Sequence, residues 1–296
     1  MSQDYKQFKI TKGPIKLTDF KTDETFGLSK KDAKDDLEDF QDTLFELQER
    51  LYAENRKSLL IVFQAMDAAG KDSAIEHVMS GVNPQGCQVF SFKQPNDEDY
   101  EHDFLWRHYD ALPERGRIGI HNRSHYEYVL VCKVHPEYIL KERLPGIRKV
   151  NDITEEFWKD RYKSIRQFEE HLTRNGTTII KFFLHLSKEE QYERFMDRLN
   201  EKDKHWKFSA ADLDERELWE DYERVYEECI SATSSDEAPW YIIPADKKWF
   251  SRLAIGRIIV KTLQEMDPDF PKVSKKQEEE LKLYKEQLKS EARKLK

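Results

Sequence analysis

Residues 63–73, Phe-Gln-Ala-Met-Asp-Ala-Ala-Gly-Lys-Asp-Ser, join a short apolar run, Ser58 to Gln64, to a helical pattern. A loop at such a junction turns successive backbone N–H groups, with the positive end of the following helix, toward one point. Lys71 adds a mobile cation, so Ala68, Ala69, Gly70, Lys71, Asp72 and Ser73 make a candidate phosphate cradle. The pattern GxxxxGK[ST] is missed twice, because Ala65 replaces the first glycine and Asp72 stands where a hydroxyl is usual. That hydroxyl ordinarily ligates magnesium. Asp67 is the substitute ligand, since a carboxylate facing phosphates is unfavourable unless a cation lies between them. The plainer readings are Gly70 as a turn glycine, Lys71 as a surface cation and Asp67 as a residue that stabilises the turn.

Two further clusters carry cations. In residues 115–127, Ile118 to Ile120 reads as a strand and Asn122-Arg123-Ser124 as its carboxyl end, where open α/β sheets place ligands. Arg123 is therefore expected to face the same crevice as Lys71, with Arg107, Arg115 and Arg117 forming a locally basic segment around it. In residues 188–219, Arg194 and Arg198 lie four apart on a helix, followed by Lys202, Lys204, His205, Trp206 and Lys207. Phosphoryl transfer needs cations around the moving group and a cover against water, so this segment reads as a lid. Surface ion pairs and an ordinary charged helix are the competing explanations.

Elements must hold these clusters together. Ser58 to Gln64 has the composition of a strand buried on both faces. Further strands are expected near Gln88–Phe92, Ile118–Asn122, Thr178–His185 and Trp240–Ile243. Helices are expected near Glu98–Leu112, Ser124–Val134, Thr154–Arg174, Lys188–Leu199, Leu213–Ala232 and Lys248–Met266. Such alternation means a parallel sheet with helices on both faces. Ahead of it, Ala33, Leu37, Phe40, Leu44, Leu47 and Leu51 mark one long amphipathic helix, opened by a capping box of Ser29 and Asp32. It lies across the core or pairs with a second subunit, which allows a homo-oligomer, a dimer or tetramer. Residues 1–28 read as an arm lying on something else, 29–270 as the main domain, and 271–296 as a charged terminal helix with Leu281, Tyr284, Leu288 and Leu295 at helical spacing.

The 296 residues carry 50 Lys and Arg against 58 Asp and Glu, a net charge of -8, which argues against nucleic acid as a partner. Mean hydropathy is -0.87, yet 17 Phe, 13 Tyr and 6 Trp are enough for a substantial core. The longest apolar stretches fall far short of the roughly 20 residues that cross a bilayer, and MSQDYKQFKI has no signal-peptide pattern, so no membrane role is expected. Cys87, Cys132 and Cys229 are far apart and lack zinc spacing, which fits reduced thiols in a cytoplasmic protein.

Three segments together resemble the polyphosphate kinase 2 family. They are AMDAAGKD, the run from SFKQPNDEDYEHDFLWR to IHNRSHYEYVLVCKVHPE, and DRLNEKDKHWKFS followed by APWYIIPADKKWF. The resemblance covers roughly Leu28 to Met266. It implies a thymidylate-kinase-like, P-loop kinase α/β core with a helical lid, and magnesium-dependent phosphoryl transfer between inorganic polyphosphate and nucleotides, with manganese as a substitute ion. By position, Asp67 resembles the family's metal-binding loop aspartate and Lys71 its phosphate-binding lysine. Asn122 and Arg123 match its second motif, with Asn122 beside the metal, and Arg198 resembles its lid arginine. Lys93, with Pro95, matches a segment near the phosphate channel, and Arg107, Arg115, Arg117 and Lys204 are candidates for a basic polyphosphate track. The family commonly has glycine where this chain has Ala65. Asparagine at 122 resembles members that accept monophosphates as well as diphosphates, so AMP to ADP and ADP to ATP are both expected. The alternatives are an ATP-dependent nucleoside monophosphate kinase, and an inactive nucleotide-binding scaffold in which Ala65 and Asp72 disable the loop.

Overall fold

The computed structural model describes residues 5–294. In chain order the elements are β1 (Lys9–Ile10), α1 (Lys30–Glu54), β2 (Ser58–Ala65), α2 (Lys71–Val78), β3 (Cys87–Ser91), α3 (Trp106–Asp110), β4 (Ile118–Asn122) and α4 (Val131–Val134). There follow α5 (Glu155–Arg174), β5 (Thr177–His185), α6 (Lys188–Asn200), α7 (Ala211–Glu217), α8 (Trp219–Thr233), β6 (Trp240–Pro244), α9 (Lys248–Met266) and α10 (Lys275–Lys294). The side chains of Asp32 and Leu37, and Leu295, named in the expected capping box and helices, lie outside the described residues.

The six strands form one sheet in the order β1-β6-β5-β2-β4-β3, parallel except for β1, which runs antiparallel to β6. Every residue of β2 is buried, as its unbroken apolar sequence requires for a central strand covered on both faces. One face carries α1, α2 and α9, and its core includes Leu59, Ile61, Phe63 and Phe182. The other carries α4, α5 and α8, with Leu60, Val62, Phe183 and Trp240 turned toward it, the alternation that a strand's twofold period dictates. Helix α1 packs on α9, burying Phe40, Leu44 and Leu51. The approach is close enough that a Cβ on Gly256 would stand 2.5 Å from the Phe40 ring.

Three expected helices differ. Ser124–Val134 is a tight 3-10 turn at His125–Tyr128 and then only the four-residue α4, because the Ser124 hydroxyl accepts from Tyr126 N at 3.2 Å and closes a local turn. The Glu98–Leu112 stretch is a single turn at Asp99–Glu101 and the short α3, because the Asp103 carboxylate accepts from Leu105 N at 2.9 Å and closes a local turn that competes with a helix. Leu213–Ala232 is two helices, α7 and α8, parted at Leu218. The arm contributes a strand, β1, pairing Lys9 with Tyr241 and Ile10 with Trp240, so the arm lies on the sheet's edge. From β2 the chain passes to the outer strand β3, returns to β4 beside β2, and then places β5 on β2's other side. The crevice at the carboxyl ends of β2, β4 and β5 lies at that reversal.

Candidate active site

Strand β2 ends at Ala65 and α2 begins at Lys71, which leaves five residues to turn the chain. Left-handed backbone falls on Ala68 (φ 59°) and Gly70 (φ 97°), not on Ala65. The missing first glycine is therefore no obstacle, since Ala65 is ordinary strand. Gly70 takes its conformation freely, whereas a residue with a Cβ is disfavoured there by roughly 1–2 kcal/mol. Ala68 must be held. Helix α6 does this: Arg194 Nη1 donates to the carbonyls of Ala68 (3.0 Å) and Ala69 (2.8 Å), and Gln191 Nε2 to that of Asp67 (2.9 Å). Arg194 Nη2 also donates to Ala245 O at 2.6 Å, beyond the end of β6. In a trans peptide the N–H points opposite to the C=O, so tying these carbonyls to α6 turns the amides of Ala68, Ala69 and Gly70 away from it. No side chain caps the first turn of α2.

Lys71 Nζ donates to Ala65 O at 2.8 Å. Burial, and next the Arg123 guanidinium, pull its ammonium below the usual lysine range, although Asp67 opposes the shift. Asp67 Oδ1 stands 3.5 Å from Arg123 Nη2, both side chains reaching solvent. Arg123 follows directly on β4 in a left-handed conformation (φ 61°), and its N–H donates to Phe63 O at 3.1 Å. Strand pairing and this turn thus bring Arg123 beside the loop. Glu127 is screened by the same cations: burial pushes its carboxyl up, against the pull of Arg123 and Lys71.

Asn122 is also here, but it points elsewhere than at Asp67. Its Nδ2 donates to Asp72 Oδ1 at 2.6 Å and to Ser91 Oγ at 3.3 Å. Asn122 therefore fixes Asp72, the residue that occupies the hydroxyl position, and the Ser73 hydroxyl turns back to Gly70 O at 3.1 Å.

A cavity of about 270 Å³ opens over the loop. Asp67, Lys71 and Arg123 line it, as do Lys93, Arg107, Glu127, Tyr138, Glu142, Asp212 and Arg216. Arg107 is held by Asp99 (3.2 Å) and the Lys93 carbonyl (3.0 Å), stacked near Phe92 and Tyr128. Arg198 is not among the lining side chains. It pairs with Asp212 at 3.6 Å and Lys207 O at 3.2 Å, joining α6 to α7. Lys204 pairs with Glu201 at 2.5 Å on the exposed turn between those helices, where Trp206 is 78% exposed.

Arg115 and Arg117 are not brought to the cavity. Arg115 Nη1 donates to Arg56 O at 2.8 Å, and Arg117 lies 4.6 Å from the Tyr52 ring centroid. Both precede β4 while Arg123 follows it, and five residues of strand separate the two ends by roughly 16 Å. A basic run in sequence is thus divided between opposite edges of the sheet.

Of the residues that hold the loop, Gln191 carried no sequence signal, and Arg194, read beside Arg198 as a lid cation, braces the loop carbonyls instead. Their spacing puts all three along one side of α6, but only the fold decides which of them meets the loop. Glu127, Asp212 and Arg216 had no motif of their own. Among the described residues no group of three or more His, Cys, Asp or Glu could hold a metal alone. Asp67 nonetheless fits a magnesium ion, which takes one or two carboxylates and fills its other positions with water and substrate phosphates.

Comparisons with known proteins show the family and the fold. The family model for polyphosphate kinase 2 matches residues 27–271. A Rhodopseudomonas palustris protein named ADP-polyphosphate phosphotransferase is 48% identical over 96% of this chain and 98% of its own length. A Meiothermus ruber AMP/ADP-polyphosphate phosphotransferase is 42% identical over 88% of this chain and 92% of its own. The crystal structure of polyphosphate kinase 2 from Arthrobacter aurescens superposes with a TM-score of 0.86 at 36% identity, covering 96% of this chain and 98% of that one. With a P-loop kinase-like sheet, an aspartate and a lysine in its phosphate loop and an arginine just beyond β4, this chain belongs to the polyphosphate kinase 2 family.

Proposed function

We propose that this protein transfers phosphoryl groups between inorganic polyphosphate and nucleotides, phosphorylating AMP to ADP and ADP to ATP. The observation that carries the reading is the convergence of Asp67, Lys71 and Arg123 on one cavity above the loop. A terminal nucleotide phosphate is already largely anionic near neutral pH, so the reaction needs positioning and charge neutralisation more than a strong base. Lys71 and Arg123 neutralise the phosphates, and the Ala68 and Gly70 amides turned from α6 donate to their oxygens, that of Ala69 being turned to Met66 O at 3.4 Å. Magnesium, or manganese in its place, supplies further charge neutralisation when bound, and Asp67 is the carboxylate that would hold it, with Asn122 acting one step removed through Asp72. Residues 188–219 serve as the lid that excludes water, with Arg198 bracing it through Asp212. Lys93 and Arg107 are the track candidates that line the cavity.

The domain from 29 to 270 carries this activity, with the arm and α10 as appendages. Asn122 supports the use of both acceptors, because a neutral amide adds no negative charge beside the acceptor's phosphates. The test is purified protein with magnesium, AMP or ADP, and either polyphosphate or ATP as donor, the products resolved by chromatography. ADP and ATP formed from polyphosphate are expected. Turnover with ATP alone would make it a nucleoside monophosphate kinase, and nucleotide binding without turnover would make it a scaffold.

A further inference from the structure

Behind the turn that carries Arg123 lies a charged pair, neither member of which lines the cavity. Lys181 on β5 and Glu169 on α5 have side chains 0% and 4% exposed, and Lys181 Nζ stands 2.7 Å from Glu169 Oε2. The same ammonium donates to Tyr126 OH at 2.9 Å and to Thr233 O at 2.8 Å, so all three of its hydrogens are used. The Tyr126 hydroxyl in turn donates to Glu169 Oε1 at 2.6 Å. Its ring is wholly buried and meets that of Trp240 edge-on, with centroids 4.8 Å apart. Tyr126 comes three residues after Arg123 and one before Glu127, and both of those line the cavity. The start of this turn is tied to β2, by Arg123 N–H to Phe63 O and by Gln64 Nε2 to Ser124 Oγ at 3.1 Å. Its far end is tied by Tyr126 to β5 and α5.

Replacing a buried ion pair with apolar residues of similar volume is often neutral or stabilising, because burial strips both ions of water. Stability alone is therefore a poor reason for this pair. A fully satisfied polar network does something apolar contact does not, which is to fix where a hydroxyl stands. We propose that Lys181 and Glu169 are positioning residues for phosphoryl transfer: through the Tyr126 hydroxyl they fix the far end of the 123–127 turn, and with it the place of Arg123 beside the phosphate loop. The proposal rests on the functional reading above. The turn needs this second anchor because its first residue is strained. Arg123 holds a left-handed φ of 61°, which a residue with a Cβ disfavours, and relaxation of that angle would swing the guanidinium away from Asp67.

The experiment makes the triad apolar, with Lys181→Met, Glu169→Leu and Tyr126→Phe combined in the full chain so that neither ion is left without its partner. With ADP, polyphosphate and magnesium, kcat is expected to fall at least about tenfold while the circular dichroism spectrum stays native. KM for ADP should stay within about twofold, as befits a group misplaced at the transferring phosphate. The deciding measurement repeats the triple substitution in an Arg123→Ala background. There the further loss is expected to shrink below about twofold, since no guanidinium remains to be misplaced. A merely structural role would cost the same factor in both backgrounds. Should the triple variant fail to fold, Tyr126→Phe alone keeps the ion pair and removes the tie. It is expected to lower kcat by about threefold or more, and again not when Arg123 is absent. Unchanged kcat in a folded variant, or an equal loss with and without Arg123, overturns the proposal. Absence of any polyphosphate-driven turnover in the wild type would instead defeat the functional reading itself.

Discussion

The two edges of the sheet carry the same residue types and put them to different uses. At the carboxyl edge, Lys71 and Arg123 line a cavity with Asp67 and Glu127, where burial lowers the Lys71 ammonium and raises the Glu127 carboxyl. At the amino edge, Arg115 is spent on a main-chain carbonyl and Arg117 on the Tyr52 ring and Glu114. Arginine chemistry is the same at both edges. The difference lies in strand direction: parallel strands end where loops lead into helices, and uncapped helix starts leave donors unsatisfied there. A cation at that edge joins a site that wants an anion, while the two at the other edge meet a carbonyl, a ring and a surface carboxylate.

Substitutions test this contrast, and the largest effect is expected at Lys71. Lys71→Ala should reduce polyphosphate-driven ATP formation by at least about a hundredfold with a native circular dichroism spectrum. Full activity would remove the loop from the chemistry. Asp67→Asn should cost more than about tenfold, and the deficit should shrink as magnesium is raised, because the neutral amide weakens a ligand without emptying the position. A deficit independent of magnesium would make Asp67 only a partner for Arg123.

Arg194→Lys asks whether the carboxyl edge depends on the helix behind it. A lysine cannot bridge Ala68, Ala69 and Ala245 at once, so activity should fall roughly tenfold, with the melting temperature lowered as well. Retention of both would mean that the left-handed turn at Ala68 needs no tie. Asn122→Asp sharpens the comparison within the edge. It would set a second carboxylate against Asp72, so AMP phosphorylation should drop more than ADP phosphorylation, by roughly threefold in the ratio of specificity constants. Crowding raises the pKa of one carboxyl of such a pair, and a shared proton replaces the lost amide contact only below that pKa, so the deficit should grow as pH rises. An unchanged ratio would reject Asn122 as a selector.

The smallest change is expected at the opposite edge. Arg117→Ala should leave kcat/KM within about twofold for short and long polyphosphate alike, while removing a cation–π contact of roughly 0.5–1 kcal/mol from stability. A loss that grows with donor length would return Arg117 to the polyphosphate track.

Much of this architecture was readable from residue order. Ile118–Asn122 and Lys248–Met266 have the bounds their patterns predict, because an apolar run between turn signals and a long helical repeat are local facts. Asp67, Lys71 and Arg123 were readable for the same reason, each lying within a residue or a few residues of a strand's end. Strand β1 was not: two residues pair with β6 more than two hundred positions later, and nothing in KI announces that edge. Arg194 was legible as a lid cation beside Arg198 but not as the loop's brace, because its partners are main-chain carbonyls, which no sequence pattern marks. Arg115 and Arg117 were grouped with Arg123 because closeness in sequence hides the length of a strand between them.

The bonds from Gln191 and Arg194 to the loop make α6 the root of two structures, the phosphate loop behind it and the α7 flap ahead of it. In the lid proposed above, α6 is then the fixed base and any opening pivots beyond Asn200, at residues 201–210, since movement of α6 itself would drag the loop carbonyls along. The natural unit of exchange between relatives is therefore the tip alone. A chimera joined after α6 keeps its native loop, whereas one joined before Lys188 imports a foreign helix against that loop and must bring a matching loop with it.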